Sequence, residues 1–263
     1  MADKLLIIGC GNMGGAMLAG WLAAGEDPAR FAVLDPALET PPEGVELYRS
    51  APSATTHDSV LLGFKPQQLS ALAASLQTLT IDTTVYSLLA GITLEQLQEA
   101  FPQAKAHVRV MPNLAARIGK SPVILSESGL GPHDRDRAKT LFDRLGSALW
   151  LDDEEHFDLV TALAGSGPGF VYRFIDALSG AAAALGLDRA QADQLALQMV
   201  EGASALAAQA DADPGTLADR VASPGGMTRE GLNVLDADNA LQLLLEETLR
   251  KTAERGAELS RSS

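Results

Sequence analysis

Leu5-Leu6-Ile7-Ile8-Gly9-Cys10-Gly11-Asn12-Met13-Gly14 is the stretch that decides the fold. Four apolar residues without polar alternation read as a strand buried on both faces. The glycines that follow have the spacing G-x-G-x-x-G and open a helix over 12–24 that Gly25 stops. Gly9 permits the tight turn, Gly11 lets the backbone approach a pyrophosphate, and Gly14 lets the helix pack close to the strand. The free N–H groups at the positive helix end then bind phosphates without a basic side chain. In this reading Gly9, Cys10, Gly11, Asn12, Met13 and Gly14 cradle a dinucleotide.

Working outward, strands are expected at 31–34, 60–63, 84–89, 107–110, 123–125 and 148–151, with helices between them. Thr93-Leu94-Glu95-Gln96 reads as a capping box opening one of these helices. Such alternation through residue 151 predicts an α/β fold, an N-terminal Rossmann-type doubly wound parallel sheet. The acidic run Asp152-Asp153-Glu154-Glu155 reads as a solvated linker or helix start, and no strand is expected after it. From Phe170 to Leu185, apolar residues recur at helical spacing: Val171, Phe174, Ile175, Leu178, Ala182 and Leu185. The flanking alanines make this helix apolar nearly all round, so it must be buried on several sides. An all-α C-terminal domain that dimerises follows. The expected division is a nucleotide-binding domain over 1–152 and a helical substrate-binding and dimerisation domain over 153–263.

Composition removes several classes. The 263 residues carry a formal charge of -14, which argues against nucleic acid and against an anionic membrane face. Cys10 is the one cysteine, so no disulfide forms within a chain. It reads as a small loop residue, because nothing beside it is basic enough to make a thiolate. No apolar run approaches ~20 residues, and a cytoplasmic protein is expected. No metal site is expected, and His57, His107, His133 and His156 read as structural or surface residues.

Asp35 closes the second strand, where an acid hydrogen-bonds the adenosine ribose hydroxyls and repels a 2′-phosphate. Pro36-Ala37-Leu38-Glu39 follows it without a base, which leans the cofactor toward NADH over NADPH. The alternative is a strand-end acid in a turn with Pro36. Lys65, after the third strand, either reaches cofactor or substrate or is a plain surface lysine.

The second informative stretch is Ala222-Ser223-Pro224-Gly225-Gly226-Met227-Thr228, a glycine turn in helical surroundings. Successive backbone N–H groups in such a turn make an anion-binding concavity. Gly225, Gly226 and the Thr228 hydroxyl therefore suit a small carboxylate. With a dinucleotide fingerprint in the same chain, the simplest reading is a reductase of a small acidic metabolite.

At this point the chain resembles the pyrroline-5-carboxylate reductase family nearly end to end. The resemblance rests on Gly9–Gly14, Gly63-Phe64-Lys65-Pro66-Gln67, Leu89-Ala90-Gly91-Ile92-Thr93 and Arg109-Val110-Met111-Pro112-Asn113. Its most specific parts are Thr161-Ala162-Leu163-Ala164-Gly165-Ser166-Gly167-Pro168-Gly169-Phe170 and Ser223–Thr228. It implies hydride transfer from NADH or NADPH to the C=N bond of a cyclic imino acid, 1-pyrroline-5-carboxylate, giving proline. It implies a homodimer through the C-terminal helices, in some members assembled further. Gly63, Phe64 and Lys65 would then meet the cofactor, Ala90 would flank the nicotinamide, and Asn113 would fix the cofactor side. Thr228 would donate toward the imine nitrogen. A protonated imine already accepts hydride, so orientation and exclusion of water suffice.

The chain departs from the family at Arg220, where an amide or acid is usual, and at Ala222, where Ser or Thr is. Met227 stands where a small residue is common, Leu114-Ala115 replaces Thr-Pro, and Ala164 replaces Ser. Arg220 and Met227 flank the expected substrate turn, which leaves a related cyclic imino acid as an alternative. Arg220 also offers a bidentate carboxylate contact. A 3-hydroxyacid dehydrogenase needs a general base, and the helix after Gly165–Gly169 offers Arg173, which holds its proton. A non-catalytic dinucleotide-binding protein is opposed by the intact glycines and Thr228.

Overall fold

The computed structural model describes residues 3–52 and 57–262. It divides into two units. The first comprises the chain up to Ser166 together with the end of the chain from Thr252; the second is Gly167–Lys251.

The first unit is built on one eight-stranded sheet. Its strands are β1 Leu5–Ile8, β2 Phe31–Leu34, β3 Glu46–Tyr48, β4 Ser59–Leu62, β5 Thr84–Ser87, β6 Ala106–Met111, β7 Ser121–Ser128 and β8 Gly146–Trp150. Their order is β3-β2-β1-β4-β5-β6-β7-β8. From β1 the chain builds outward to β2 and β3, then crosses back to β4, so the order reverses between β1 and β4. In an open α/β sheet, ligands bind outside the carboxyl ends of the strands at this reversal.

Burial on both faces explains the apolar strands. Leu5 and Ile7 of β1 pack with Met17, Trp21, Val33, Val108 and Phe142 on one face. Leu6 and Ile8 pack with Leu34, Val60, Leu62, Leu79, Leu97 and Phe101 on the other. The first layer is covered by α1 Asn12–Ala23 and α4 Pro132–Asp143, the second by α2 Leu69–Thr80 and α3 Leu94–Ala100. Trp21 anchors the first layer, stacked on Phe31 with its indole N–H donated to the Leu141 carbonyl at 2.8 Å. The capping box forms as expected: Gln96 N–H donates to Thr93 Oγ1, and Thr93 N–H to Gln96 Oε1.

The expected doubly wound sheet is present, with one correction to its all-parallel reading. β6 and β7 are antiparallel, while every other pair is parallel. Only a short 3-10 turn over Leu114–Ile118 joins them. A parallel return needs a crossover of a dozen or more residues, so the chain doubles back instead. β3 was absent from the expected strands. It is an edge strand of only three residues, too short to carry a periodic signal.

After β8 a short helix, α5 Phe157–Val160, runs into a π-helical turn over Thr161–Gly165. These residues belong to the sheet unit.

The second unit consists of α6 Gly167–Ala184, α7 Arg189–Gln209, α8 Pro214–Arg220, α9 Met227–Asp236 and the start of α10 Ala240–Ser262. α6 and α7 form a hairpin tied by polar bonds. The Ser179 hydroxyl donates to Asp193 at 2.6 Å, and Arg189 reaches both Asp193 and Asp176. Among the described residues, those fully buried in this unit are Ser179, Ala192, Ala196 and Ala222, all small. Its large apolar side chains lie open in a single chain: Phe174 is 49% exposed and Leu244 65%.

Candidate functional site

The glycine-rich turn after β1 lies at the carboxyl ends of β1, β2 and β4. Gly9 has φ +88°, a conformation glycine adopts without strain. It is clasped between two other glycines: a Cβ on Gly14 would lie 2.6 Å from the Gly9 carbonyl oxygen, and one on Gly63 2.4 Å from it. These approaches bring α1, β1 and β4 into contact at the strand-order reversal. A Cβ on Gly11, by contrast, would meet nothing within 4 Å. This is open space where a diphosphate can come against the main chain. The N-terminus of α1 has no side-chain cap and no acid in its first turn. Its leading N–H groups, at Asn12, Met13 and Gly14, have no intrahelical partner. The residues therefore fit a dinucleotide diphosphate.

Asp35 sits one residue past β2, and its carboxylate is held twice by main chain. Oδ2 accepts from the Cys10 N–H at 2.8 Å, and Oδ1 from the Ala37 N–H at 2.9 Å. The turn with Pro36 and a place beside the glycine loop are thus both real. Burial pushes the Cys10 thiol up to about 11, with the Asp35 charge adding to the shift. Cys10 therefore stays a thiol at neutral pH, as its reading as a small loop residue expects.

Phe64 packs against the second apolar layer. Lys65 is exposed, and its N–H donates to the Gln68 side chain at the entry to α2. Ala90 is exposed beside Gly91, whose φ is +77°. Asn113 is buried, and its side chain works within its own chain. Oδ1 accepts from the Ala115 N–H, and Nδ2 donates to the Ala164 carbonyl, each at 2.9 Å. It ties the end of β6 to the π-helical turn. His107 and His57 are buried, and burial lowers both below the usual imidazole value. His133 and His156 are exposed.

One cluster escaped the sequence reading. Arg109 is 5% exposed, and its guanidinium donates to Glu154 Oε1 at 2.7 Å while lying 3.8 Å over the Phe157 ring. The same Glu154 oxygen accepts from the Leu94 N–H at 3.0 Å. Glu154 was expected in a solvated run; instead it joins β6, the start of α3 and the entry to α5. Removing its charge with Glu154→Gln leaves Arg109 buried and unpaired. Breaking a fully buried pair costs about 3–5 kcal/mol. Glu154 is partly open to solvent, so the expected loss is about 1–3 kcal/mol. A urea midpoint equal to that of the unmodified chain would show that the pair contributes nothing.

In the second unit, Ser223-Pro224-Gly225-Gly226 forms a tight turn closed by Gly226 N–H to Ser223 O at 2.9 Å. Proline at its second position and Gly225 at φ +68° at its third are the signature of a type II turn. Gly226 is then the N-cap of α9, with no side-chain cap. The N–H groups of Met227, Thr228 and Arg229 open the helix without intrahelical partners. Met227 is 94% exposed, and the Arg220 and Thr228 side chains are exposed too. Arg229, unnoticed in the sequence, braces the turn from below by donating to Asp219 at 2.7 Å and to the Ala222 carbonyl at 3.4 Å. The Pro224–Thr228 stretch is thus a second glycine-entered helix start with no side-chain cap.

Among the described residues, no group of His, Cys, Asp and Glu is arranged to hold a metal ion, and no helix is long and apolar enough to cross a membrane.

Comparison with known proteins shows the family. A family model described as pyrroline-5-carboxylate reductase dimerisation matches residues 154–259. Another, described as NADP oxidoreductase, coenzyme F420-dependent, matches residues 4–91. Pyrroline-5-carboxylate reductase 2 of Bacillus subtilis strain 168 is 36% identical over 97% of this chain and 95% of its own. The structure of a pyrroline-5-carboxylate reductase from Coxiella burnetii covers 99% of each chain at 28% identity, with a TM-score of 0.92. The Plasmodium falciparum pyrroline carboxylate reductase, solved with NADP bound, shares the fold over 98% of each chain, with a TM-score of 0.83 at 24% identity.

Proposed function

This chain belongs to the pyrroline-5-carboxylate reductase family, and from that premise we propose how its own residues carry the reaction. It is an NAD(P)H-dependent oxidoreductase that reduces the C=N bond of 1-pyrroline-5-carboxylate to give proline, and it works as a homodimer. One observation carries the assignment of roles. Among the described residues three helices start at a glycine without a side-chain cap, α1 at Gly11, α4 at Gly131 and α9 at Gly226. α4 opens on Pro132, which has no N–H to offer, so α1 and α9 are the two whose first N–H groups are all available to an anion.

When bound, the nicotinamide supplies the hydride that the imine carbon accepts. The α1 N–H groups at Asn12, Met13 and Gly14 hold the diphosphate. Asp35 hydrogen-bonds the adenosine ribose, Gly63, Phe64 and Lys65 line the nucleotide, and Ala90 flanks the nicotinamide. Asn113 acts by holding the π-helical turn in place. On the substrate, Gly225, Gly226 and the first α9 N–H groups hold the carboxylate. Arg220, which has no ion-pair partner among the described residues, adds a two-pronged contact to it. Met227 lays an apolar side chain over the ring. The Thr228 hydroxyl donates to the ring nitrogen and keeps its proton in place as the nitrogen becomes an amine. We assign residues 1–152 to nucleotide binding and 153–263 to substrate binding and dimerisation. The working enzyme is placed in the cytoplasm, and its dimers are free to associate further.

Steady-state kinetics with five- and six-membered cyclic imino acids test the substrate. The five-membered imine is expected to give the higher kcat/KM. A higher value for the six-membered ring would move the assignment to a related imino acid. The same assays test Asp35: NADH is expected to be used better than NADPH, and the reverse order would remove Asp35 as the selecting group.

A further inference from the structure

β3 places a base where the linear sequence shows none. Leu34 of β2 pairs with Tyr48 of β3, and the Asp35 N–H donates to the Tyr48 carbonyl at 3.1 Å. The next residue, Arg49, therefore stands beside Asp35 at the sheet edge. Its guanidinium forks over the loop leaving β2. Nη1 donates to the Pro36 carbonyl at 3.2 Å and Nη2 to the Glu39 carbonyl at 3.0 Å. Both acceptors are neutral. Among the described residues no carboxylate pairs with Arg49, although the chain is strongly acidic. An arginine has five N–H donors in a rigid plane, so donors remain. Asp35, at the start of that loop, is already held by the Cys10 and Ala37 N–H groups.

The end of β2 is where the adenosine ribose of a dinucleotide comes when its diphosphate sits on α1. A 2′-phosphate there would approach Asp35, which repels it, and Arg49, which attracts it. We propose that Arg49 is the residue that meets the 2′-phosphate of the ribose when the site takes NADPH. The inference rests on the cofactor reading above and deepens it: Asp35 sets the preference, and Arg49 sets how far NADPH is tolerated.

Calorimetric binding to the dimer tests this, with NADH, NADPH, 2′,5′-ADP and 5′-AMP as ligands. Charge-assisted hydrogen bonds to phosphate are among the stronger ones. Arg49→Gln is therefore expected to weaken NADPH and 2′,5′-ADP by about tenfold or more, leaving NADH and 5′-AMP within about twofold. Its NADPH affinity should also fall less steeply with salt. Arg49→Lys, which keeps the charge but not the fork, should recover part of the loss. Equal weakening of NADH and NADPH would show that Arg49 only braces the loop and would overturn the proposal. No weakening of either, or an unmodified protein that binds NADH but not NADPH, would overturn it as well. If the unmodified chain bound neither dinucleotide, the glycine cradle itself would be misread, and this inference would fall with it.

Discussion

Thr228→Ala lowers kcat about 100-fold and leaves the fold intact. Thr228 lies in the first turn of α9, exposed, and among the described residues its hydroxyl has no hydrogen-bond partner in the chain. Its removal therefore breaks no contact of the folded state. Alanine is also the better helix former, by a few tenths of a kcal/mol up to about 0.7, so stability should hold or rise slightly. In the mechanism proposed above the same hydroxyl faces a nitrogen whose bonding changes as hydride arrives. Losing one preorganised donor of that kind costs about 10²–10³ in turnover. Thr228→Ser keeps the donor and should retain most of the rate. Stopped-flow turnover beside urea denaturation separates the effects. Unchanged turnover in the alanine variant would take Thr228 out of the mechanism.

The second large effect is on assembly. Phe174→Glu combined with Leu178→Glu is expected to abolish the dimer, and with it the folded helical unit and activity. Both side chains lie one turn apart on α6, half-open in a single chain. Burying a side chain of this size contributes about 1.5–3 kcal/mol. In a two-fold interface every substitution acts twice. An unpaired carboxylate forced into such a contact adds a penalty of several kcal/mol. With only Ser179, Ala192, Ala196 and Ala222 fully buried among its described residues, the unit has little core of its own to fall back on. Light scattering and far-UV circular dichroism at micromolar concentration give the readout. A variant that stays dimeric, or an unmodified protein that is a well-folded monomer, would contradict this account.

These two cases differ in how far the chain betrays them. α6 was legible because its apolar residues recur around the whole helix, and no single neighbour can cover such a surface. The β1–α1 turn was legible because close approach needs glycine, and glycine is visible in one dimension. What escaped was partnership between distant segments. Glu154 sits in a run of four acids, and nothing local distinguishes it from Glu155; only folding brings it onto Arg109. Arg49 lies fourteen positions beyond Asp35, well outside the Pro36–Glu39 stretch that follows the strand. Strand pairing closes that gap, and β3 is too short to announce itself. The direction of β7 was hidden likewise, because it follows from the length of a connection rather than from any pattern within the strand.

The clasp of Gly9 by Gly14 and Gly63 also constrains redesign. A methyl at either neighbour would drive into the same carbonyl oxygen, so a change at one cannot be rescued by a change at the other without separating helix, first strand and fourth strand together. The seam therefore behaves as a single indivisible joint. Efforts to switch nucleotide choice have room to work only at its periphery, on the Asp35 and Arg49 side chains, where opposite charges can be exchanged while the joint keeps its shape.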